Sequence, residues 1–258
     1  MVSRPPIVLA IGGSDPTAGA GVQGDLRTIG QLGAYGVCAL TSVTVQDTCG
    51  LSTRQDVAAE LLTAQLTALA GDLRIATVKA GMLGSRANVE AVARFLDRHP
   101  RLPFVLDPVL AATAGGPLLD ADATAALIAE LLPRATVVTP NLLEALLLTG
   151  RPAGDDRAAE PLARDLAAAG ATAVLITGGH RPGGEVVDLL FDGATVHRLP
   201  TPRLPIAAHG TGCALAAAIA TRLAFGDALV AAWAAARAHL IARLRASLPL
   251  GHGQRLLP

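Results

Sequence analysis

Short apolar runs alternate along this chain with longer segments in which apolar residues recur every three or four positions. The short runs are rich in Val, Ile and Leu, and most stop at Gly, Pro or Asp, as buried strands do. The longer segments are rich in Ala and Leu, which favours helices. Strands are predicted at residues 7–11, 35–45, 76–80, 104–106, 135–138 and 173–177. Helices are predicted at residues 19–32, 58–70, 85–97, 120–132, 161–169, from 210 onward and at 227–247, with another starting at Asn141.

This alternation of strands and helices predicts a mostly parallel central sheet with helices on both faces, a three-layer α/β/α sandwich. Ser85 and Asp120 stand where helix N-caps are expected. Asp192-Gly193 separates two strand-like runs, which predicts a β-hairpin with a two-residue turn. Because no linker-like segment or internal repeat interrupts the pattern, we expect one domain over residues 1–258.

Composition and charge narrow the class of protein. The 258 residues carry 21 basic and 21 acidic side chains without a run of either sign, so neither nucleic acid nor an anionic membrane is an expected partner. Three cysteines without CxxC spacing argue against a disulfide framework or a zinc site. The first apolar run is too short for a signal peptide, and no uninterrupted apolar stretch reaches the length of a membrane span. We expect a cytoplasmic protein.

Polar clusters follow the predicted strands, where ligands bind in open parallel sheets. The segment from His209 to Cys213 opens a helix with two glycines, so first-turn N–H groups can approach an anion such as a phosphoryl group in transit. Cys213 in that turn is expected to have a lowered pKa and to act as a base or line the anion pocket. An ordinary glycine-rich helix start with a buried cysteine is an equally good interpretation.

Asp107, at a strand end, and Asn141 with Glu144, at a helix start, offer oxygen ligands for Mg²⁺ on nucleotide phosphates. By pattern alone, however, an N-cap at Asn141 with Glu144 completing a capping box is the stronger interpretation. A second glycine-rich turn covers residues 12–16, and it matches neither a Walker A sequence nor a dinucleotide fingerprint.

Isolated polar residues carry weaker signals. Gln46 ends a strand and could hydrogen-bond a heterocycle, although such residues are usually solvated. His180 and His209 are more often loop histidines than catalysts, and His252 stands where a mobile tail is the default.

Taken together, these motifs resemble the hydroxymethylpyrimidine/phosphomethylpyrimidine kinases of the ribokinase-like superfamily. The resemblance runs from about residue 7 to residue 253, and it is specific as a set although no single segment is. The matching segments are IGGSDP at 11–16, GAGVQGD at 19–25, LGAYG at 32–36, TVQDT at 44–48, VKAGML at 78–83, DPV at 107–109, TPNLLEA at 139–145, GGH at 178–180, HGTGC at 209–213 and GHG at 251–253.

The resemblance implies a ribokinase-like fold, phosphoryl transfer from Mg–ATP to a pyrimidine alcohol and its monophosphate, and a homodimer. It implies a role for each matching position, in four groups. Gln46, Met82, Asp25 and Val109 would form the pyrimidine site. Gly210, Thr211, Gly212 and Cys213 would form the catalytic anion hole. Asp107, Asn141 and Glu144 would hold Mg²⁺, and Thr177, His180, His209 and Arg237 would lie on the ATP side.

Two positions depart from the family pattern. The family usually has lysine where this chain has Thr177, and a second usual lysine, in the last long helix, is Arg237 here. Arginine keeps the charge with a different reach, and threonine offers only a hydroxyl. Arg181 or Arg203 could compensate for the missing cation. One alternative is a pyridoxal kinase-like enzyme, although Gln46 and Met82 favour a pyrimidine substrate. The other is a binding protein that has lost its catalytic activity.

Overall fold

The computed structural model describes residues 4–110, 118–119, 121–152, 159–179 and 183–258. Its centre is a nine-stranded sheet with the order β3-β2-β1-β4-β5-β6-β7-β8-β9. The strands of this sheet are β1 (Ile7–Ser14), β2 (Tyr35–Gln46), β3 (Leu51–Asp56), β4 (Ile75–Ala80), β5 (Phe104–Leu106), β6 (Val137–Val138), β7 (Val174–Ile176), β8 (Glu185–Phe191) and β9 (Val196–Pro202). In the strand order, the neighbours from β2 to β7 pair in parallel, whereas β3 pairs antiparallel with β2, β8 with β7, and β9 with β8.

Helices cover both faces of the sheet. They are α1 (Gly21–Gln31), α2 (Ala59–Asp72), α3 (Arg86–Arg98), α4 (Ala121–Ala126), α5 (Leu142–Thr149), α6 (Ala159–Ala168), α7 (Thr211–Ala224) and α8 (Leu229–Arg245). A π-helical turn, Leu127–Leu131, and a 3₁₀ turn, Leu132–Arg134, continue α4.

Alternate residues of each strand belong to separate cores on the two faces. In β1, Leu9 and Ile11 pack with α2, α3, α5 and α6, whereas Val8 and Ala10 pack with α1, α7 and α8. This alternation follows from the two-residue repeat of a strand. The predicted three-layer α/β/α sandwich with a mostly parallel sheet is therefore confirmed.

The strand order places a crevice next to β1. The chain runs outward from β1 through β2 to β3 and then returns to β4 on the other side of β1. Such a reversal separates the loops after neighbouring strands and leaves room for a ligand beyond their carboxyl ends. The loops after β1 and β4 begin at Asp15 and Gly81 and border this crevice.

Several local predictions need correction. The strand β3 was not expected from its polar sequence, and β1 continues through Gly12-Gly13-Ser14 instead of turning there. The strands β8 and β9 do form a hairpin, with residues 192–195 between them, and the Asp192 N–H bonds the Thr195 carbonyl, so the central turn residues are Gly193 and Ala194 and not Asp192 and Gly193. Ser85 does cap α3 by accepting a hydrogen bond from the Asn88 N–H. The predicted cap Asp120 lies outside the described residues.

The C-terminal segment packs against the main body of the molecule. A short parallel pair joins β10 (Ala208–His209) to β11 (Arg255–Leu256). Thr48 bonds the N–H groups of Gly253 and Gln254, and an added Cβ at Gly253 would overlap the Thr48 carbonyl. The segment around the exposed His252 is therefore a fixed strap across the loop after β2, and the expectation of a mobile tail is wrong.

Within the described ranges, no helix combines the length and the apolar character that crossing a bilayer requires.

Candidate active site

A buried cluster of charges lies under the ligand edge of the sheet. Lys79 of β4 is 1% exposed, and its Nζ lies 2.9 Å and 3.1 Å from the two carboxylate oxygens of Asp25 on α1. The same Nζ is 3.5 Å from Oδ2 of Asp107, which follows β5. Side chains alternate along a strand, and Val78 and Ala80 lie in the core on one face of the sheet. Lys79, between them, therefore lies on the other face, which α1 and α7 cover. An isolated buried charge is costly, so the three groups depend on one another.

The electrostatics of this cluster keep Lys79 charged. Asp25 and Asp107 hold the pKa of Lys79 above its ordinary range, although burial acts in the opposite direction. Burial raises the pKa of Asp25 to about 6 despite the neighbouring Lys79 cation. At neutral pH the cluster thus contains a fixed positive charge beneath the turn that begins α7.

Cys213, on the first turn of α7, adjoins the same cluster. Burial raises the pKa of the Cys213 thiol well above its ordinary value, and the charges of Asp107 and Asp25 add to this, whereas Lys79 acts against it. The expectation that the helix start lowers this pKa is therefore wrong. Desolvation and two nearby carboxylates outweigh the helix dipole and the lysine. Cys213 is therefore a neutral thiol close to Asp107.

The turn before Cys213 depends on a close backbone contact. Gly210 is the N-cap of α7 with φ +81°, and an added Cβ would overlap the carbonyl oxygen of Gly19. Only glycine combines this left-handed conformation with such an approach. The contact brings the loop after β1 against the start of α7. Thr211, Gly212 and Cys213 then form the first helical turn, whose N–H groups have no acceptor within the helix and can bind an anion.

Three polar side chains meet beside this turn. His209 Nε2 lies 2.9 Å from Asp15 Oδ2 and 2.8 Å from the Gln46 side-chain nitrogen. Although burial acts to raise it, the pKa of Asp15 is lowered by hydrogen bonds from His209, Thr17 and Ala20. The structure therefore places His209 with Gln46 and the loop after β1, and not beside Thr177, with which the resemblance grouped it.

Asn141 and Glu144 form the capping box that their spacing indicates. Asn141 Oδ1 accepts from the Glu144 N–H at 3.0 Å, and Glu144 Oε2 accepts from the Asn141 N–H at 2.8 Å. The N-cap interpretation is thus confirmed, and it leaves part of each side chain available. Burial, together with the charge of Asp107, raises the pKa of Glu144 to about 8.

These carboxylates fit a nucleotide-bound magnesium ion. Oδ2 of Asp107 is buried without a hydrogen-bond partner, and Asp107 lies near enough to Glu144 to disfavour a second negative charge there. A divalent cation would relieve both effects. Among the described residues no group of three or more His, Cys, Asp or Glu forms a metal cage. Mg²⁺ bound to a nucleotide usually takes one or two protein carboxylates plus phosphates and water, so Asp107 and Glu144 would be enough.

The predicted nucleotide-side residues are only partly brought together. Thr177, after β7, forms a bridge with Asn141, so these two share the edge at which Asp107 lies. Arg237 of α8 is buried instead, 3.4 Å from Asp188 Oδ2 and within hydrogen-bonding distance of Thr201 Oγ1. Asp188 also accepts from the Gly178 N–H, so Arg237 supports the Gly178 turn from beneath.

The remaining residues divide between the crevice and its surroundings. Met82 is partly exposed after β4, and its Sδ would lie 3.2 Å from a Cβ added at Gly13. Val109 is partly exposed after β5. Arg203 donates to the carbonyl oxygens of Gly179 and Gly183. His180 and Arg181 lie outside the described residues.

Sequence reasoning missed three residues of this region as members of the site. Lys79 is the only lysine in the chain and stands inside an apolar strand, a position that requires a buried counter-charge. Asp15 and Asp188 carried no comparable signal, because each acquires its role from partners far away in the sequence.

Comparisons with known proteins agree with this geometry. A family model described as phosphomethylpyrimidine kinase matches residues 15–257. A hydroxymethylpyrimidine/phosphomethylpyrimidine kinase of Rhizobium meliloti is 48% identical over 252 residues, covering 96% of this chain and 94% of that relative. The solved phosphomethylpyrimidine kinase of Clostridium difficile superposes with a TM-score of 0.80 at 30% identity, covering 92% of this chain and 98% of that one. The pyridoxal kinase of Staphylococcus aureus in complex with ADP has a TM-score of 0.89 at 32% identity, covering 99% of this chain and 94% of that one.

The fold and the site define a phosphotransferase of the ribokinase-like α/β class, with a glycine-rich helix start above a buried lysine–carboxylate cluster. Within that class, the chain belongs to the phosphomethylpyrimidine kinase family.

Proposed function

We propose that this protein transfers the γ-phosphoryl group of Mg–ATP to the hydroxymethyl group of 4-amino-5-hydroxymethyl-2-methylpyrimidine, and then phosphorylates the resulting monophosphate, in thiamine biosynthesis. The observation that supports this most strongly is the Gly210–Cys213 helix start. It lies beside Asp107 and Lys79 in a chain whose 48% identical relative is named for both kinase activities.

The anion hole would stabilise the phosphoryl group during transfer. In phosphoryl transfer the protein contributes mainly positioning and electrostatic stabilisation. First-turn N–H groups of α7 would donate to the moving phosphoryl oxygens, and the charged Lys79 beneath them partly offsets the negative charges of Asp25 and Asp107. Gly210 makes the turn possible by its approach to Gly19.

Cys213 would orient the attacking hydroxyl. Its thiol is neutral, so the S–H can donate to the nearby Asp107 while a sulfur lone pair accepts a hydrogen bond from the substrate hydroxyl. Between the two roles open from the sequence, base or orienting group, the raised pKa favours the orienting role. Asp107, Asn141 and Glu144 would hold Mg²⁺, which supplies charge neutralisation at the phosphates when bound.

The ring would lie in the crevice between the loops after β1 and β4. Gln46, Met82 and Val109 border this space and are each partly exposed. Asp25 is fully buried against Lys79, so it would influence substrate binding indirectly, by holding Lys79 in place. Thr177 would approach the nucleotide, and Arg237 would support that pocket through Asp188.

An ADP-release assay with Mg–ATP tests the proposal, with the pyrimidine alcohol, its monophosphate and pyridoxal offered in parallel. We expect turnover on both pyrimidines and little on pyridoxal. Pyridoxal kinase activity is the second candidate, because pyridoxal kinases superpose with TM-scores up to 0.89. Preferential turnover of pyridoxal would favour it. Pyrimidine binding without turnover would instead indicate that the change to Thr177 has abolished the chemistry.

Cys213→Ala tests the role of the thiol. We expect turnover to fall about 100-fold while the unfolding midpoint changes little, because positioning contributes to the transition state and not to the fold. Cys213→Ser, which keeps an acceptor, should recover part of the rate. An unchanged rate in Cys213→Ala would exclude the proposed role.

A cytoplasmic homodimer is also proposed, on the family resemblance, and sedimentation velocity would test the oligomeric state.

A further inference from the structure

The cluster of Asp15, His209 and Gln46 joins three distant parts of the chain at the edge of the crevice. Asp15 follows β1, Gln46 ends β2, and His209 ends β10, where the C-terminal strap pairs with it. One nitrogen, His209 Nε2, lies 2.9 Å from Asp15 Oδ2 and 2.8 Å from the Gln46 amide. A single imidazole nitrogen either carries a hydrogen or accepts one, so it cannot satisfy two arbitrary neighbours.

The surroundings of Asp15 decide which state His209 adopts. Oδ1 of Asp15 accepts from the Thr17 N–H and the Thr17 hydroxyl, and Oδ2 accepts from the Ala20 N–H, at 2.8 to 2.9 Å. Asp15 is 3% exposed and is surrounded by donors, which is the environment of a carboxylate and not of a carboxylic acid. A carboxylate only accepts hydrogen bonds, so the nitrogen of His209 that faces it must carry hydrogen.

This constraint passes on to Gln46. A nitrogen that carries hydrogen cannot accept a hydrogen bond from the amide NH₂ of Gln46 at 2.8 Å. The two ends of a carboxamide are nearly equal in size, and hydrogen bonding decides which end faces which partner. The amide oxygen of Gln46 must therefore face His209 Nε2, where it shares the single N–H with Asp15 Oδ2 in a bifurcated hydrogen bond, and the NH₂ group must occupy the other end.

We propose that Asp15 and His209 are positioning residues that fix the orientation of the Gln46 carboxamide, so that its NH₂ group is presented to a hydrogen-bond acceptor, such as a ring nitrogen, on the substrate. This inference rests on the proposed function for the identity of the ring. It goes further by specifying the direction of the hydrogen bond, in which the Gln46 NH₂ group donates to the ring. A ring that offers only a donor at this point is disfavoured, because a buried donor facing a donor loses its hydrogen bond.

The first test concerns the ligand-free protein and does not depend on any enzymatic activity. With ¹⁵N-labelled histidine, long-range ¹H–¹⁵N spectra report which imidazole nitrogens carry hydrogen. The His209 signals are assigned by their absence from His209→Met. We expect His209 to carry hydrogen on Nε2 at pH 7.5. A neutral ring with hydrogen on Nδ1 alone would overturn the proposal.

The second test asks whether Gln46 donates a hydrogen bond to the ring or accepts one from it. Gln46→Glu keeps the shape and can still accept from His209, but it has no NH₂ group to offer. We expect the KM for the pyrimidine alcohol to rise about tenfold or more, as when one buried hydrogen bond is lost, while the KM for Mg–ATP stays within about twofold. An unchanged or lowered KM for the alcohol would show that Gln46 presents its oxygen to the ring, and would refute the proposal.

The third test addresses His209 as a positioning residue. His209→Met removes the donor, whereas His209→Gln places an amide NH₂ near the position of Nε2. We expect His209→Met to raise the KM for the alcohol about tenfold, with a smaller effect on kcat, and His209→Gln to recover most of the loss. An equal loss in both variants would refute the positioning role. If no alcohol is phosphorylated at all, the proposed function fails, and the histidine spectra still decide the orientation of the hydrogen bond.

Discussion

Removing the buried lysine should destabilise the fold in a pH-dependent way. Lys79→Met replaces the cation by an apolar side chain of similar length and leaves Asp25, which is 0% exposed, without its partner at 2.9 Å. Breaking a buried ion pair by removing one member costs about 3–5 kcal/mol, because the remaining charge is desolvated and unpaired. We expect a loss of this size in the free energy of unfolding above neutral pH.

The pH dependence follows from the Asp25 carboxyl. Its pKa is already raised from 3.8 to about 6 with Lys79 present, so in the native protein the contribution of Asp25 to stability falls as pH rises from about 4 to 6 and then levels off. Without Lys79 the folded-state pKa rises further, and the folded state keeps this proton at pH values where the unfolded chain has released it. The deficit of the variant should therefore be small near pH 5.5 and grow by about 1.4 kcal/mol per pH unit above pH 6, until Asp25 ionises.

Urea unfolding followed by circular dichroism at pH 5.5 and pH 8.5 measures this deficit. The double variant Asp25→Asn/Lys79→Met should recover part of the stability and lose the pH dependence that comes from Asp25, because only Asp107 is then left without its cation. Arg86→Met, which breaks the exposed pair between Arg86 and Glu90 at 2.9 Å, is the matched control and should change the free energy of unfolding little. If Lys79→Met matches that control, or is equally unstable at both pH values, the reasoning about the buried cluster is wrong.

Two further predictions concern the helix start and the nucleotide side. Gly210→Ala should destabilise the protein by about 1–3 kcal/mol and strongly reduce turnover, because its φ of +81° and the contact with Gly19 exclude a Cβ. Thermal unfolding and the ADP-release assay measure these two effects. Gly212→Ala is the control, since an added Cβ there meets nothing within 4 Å and should leave the unfolding midpoint almost unchanged. Arg237→Met should lower the free energy of unfolding, measured with urea, by about 3 kcal/mol, because Asp188 loses its cation. The KM for ATP should change little. A raised ATP KM at full stability would instead show that Arg237 contacts the phosphates.

Local patterns in the sequence were sufficient for most of the fold. Apolar runs that stop at Gly or Asp located the parallel strands, and the spacing of Asn141 and Glu144 identified a capping box that the structure contains. These features depend on neighbours within a few residues. The strand Leu51–Asp56 escaped prediction because it is mostly polar and exposed, and it becomes a strand only by pairing with the edge of β2.

The candidate site shows where local patterns stop being informative. The position of Cys213 at a helix start indicated a lowered pKa, but burial beside Asp107 and Asp25 raises it. The family resemblance placed Arg237 on the nucleotide side, whereas the fold buries its guanidinium against Asp188 of β8 and Thr201 of β9. Desolvation and pairing depend on which elements pack together, and no short window of sequence contains that information.

The sequence by itself determined the order of strands and helices, the edge of the sheet at which polar residues collect, and the motifs that mark the kinase family. The tertiary structure alone decided which of those residues meet. His209 reaches Gln46 across 163 positions and Asp15 across 194, and Lys79 reaches Asp25 across 54. Such pairs form because the strand order and the packing of α1 and α7 on one face bring distant segments together. Their protonation and orientation are then set by burial and by the charges that surround them.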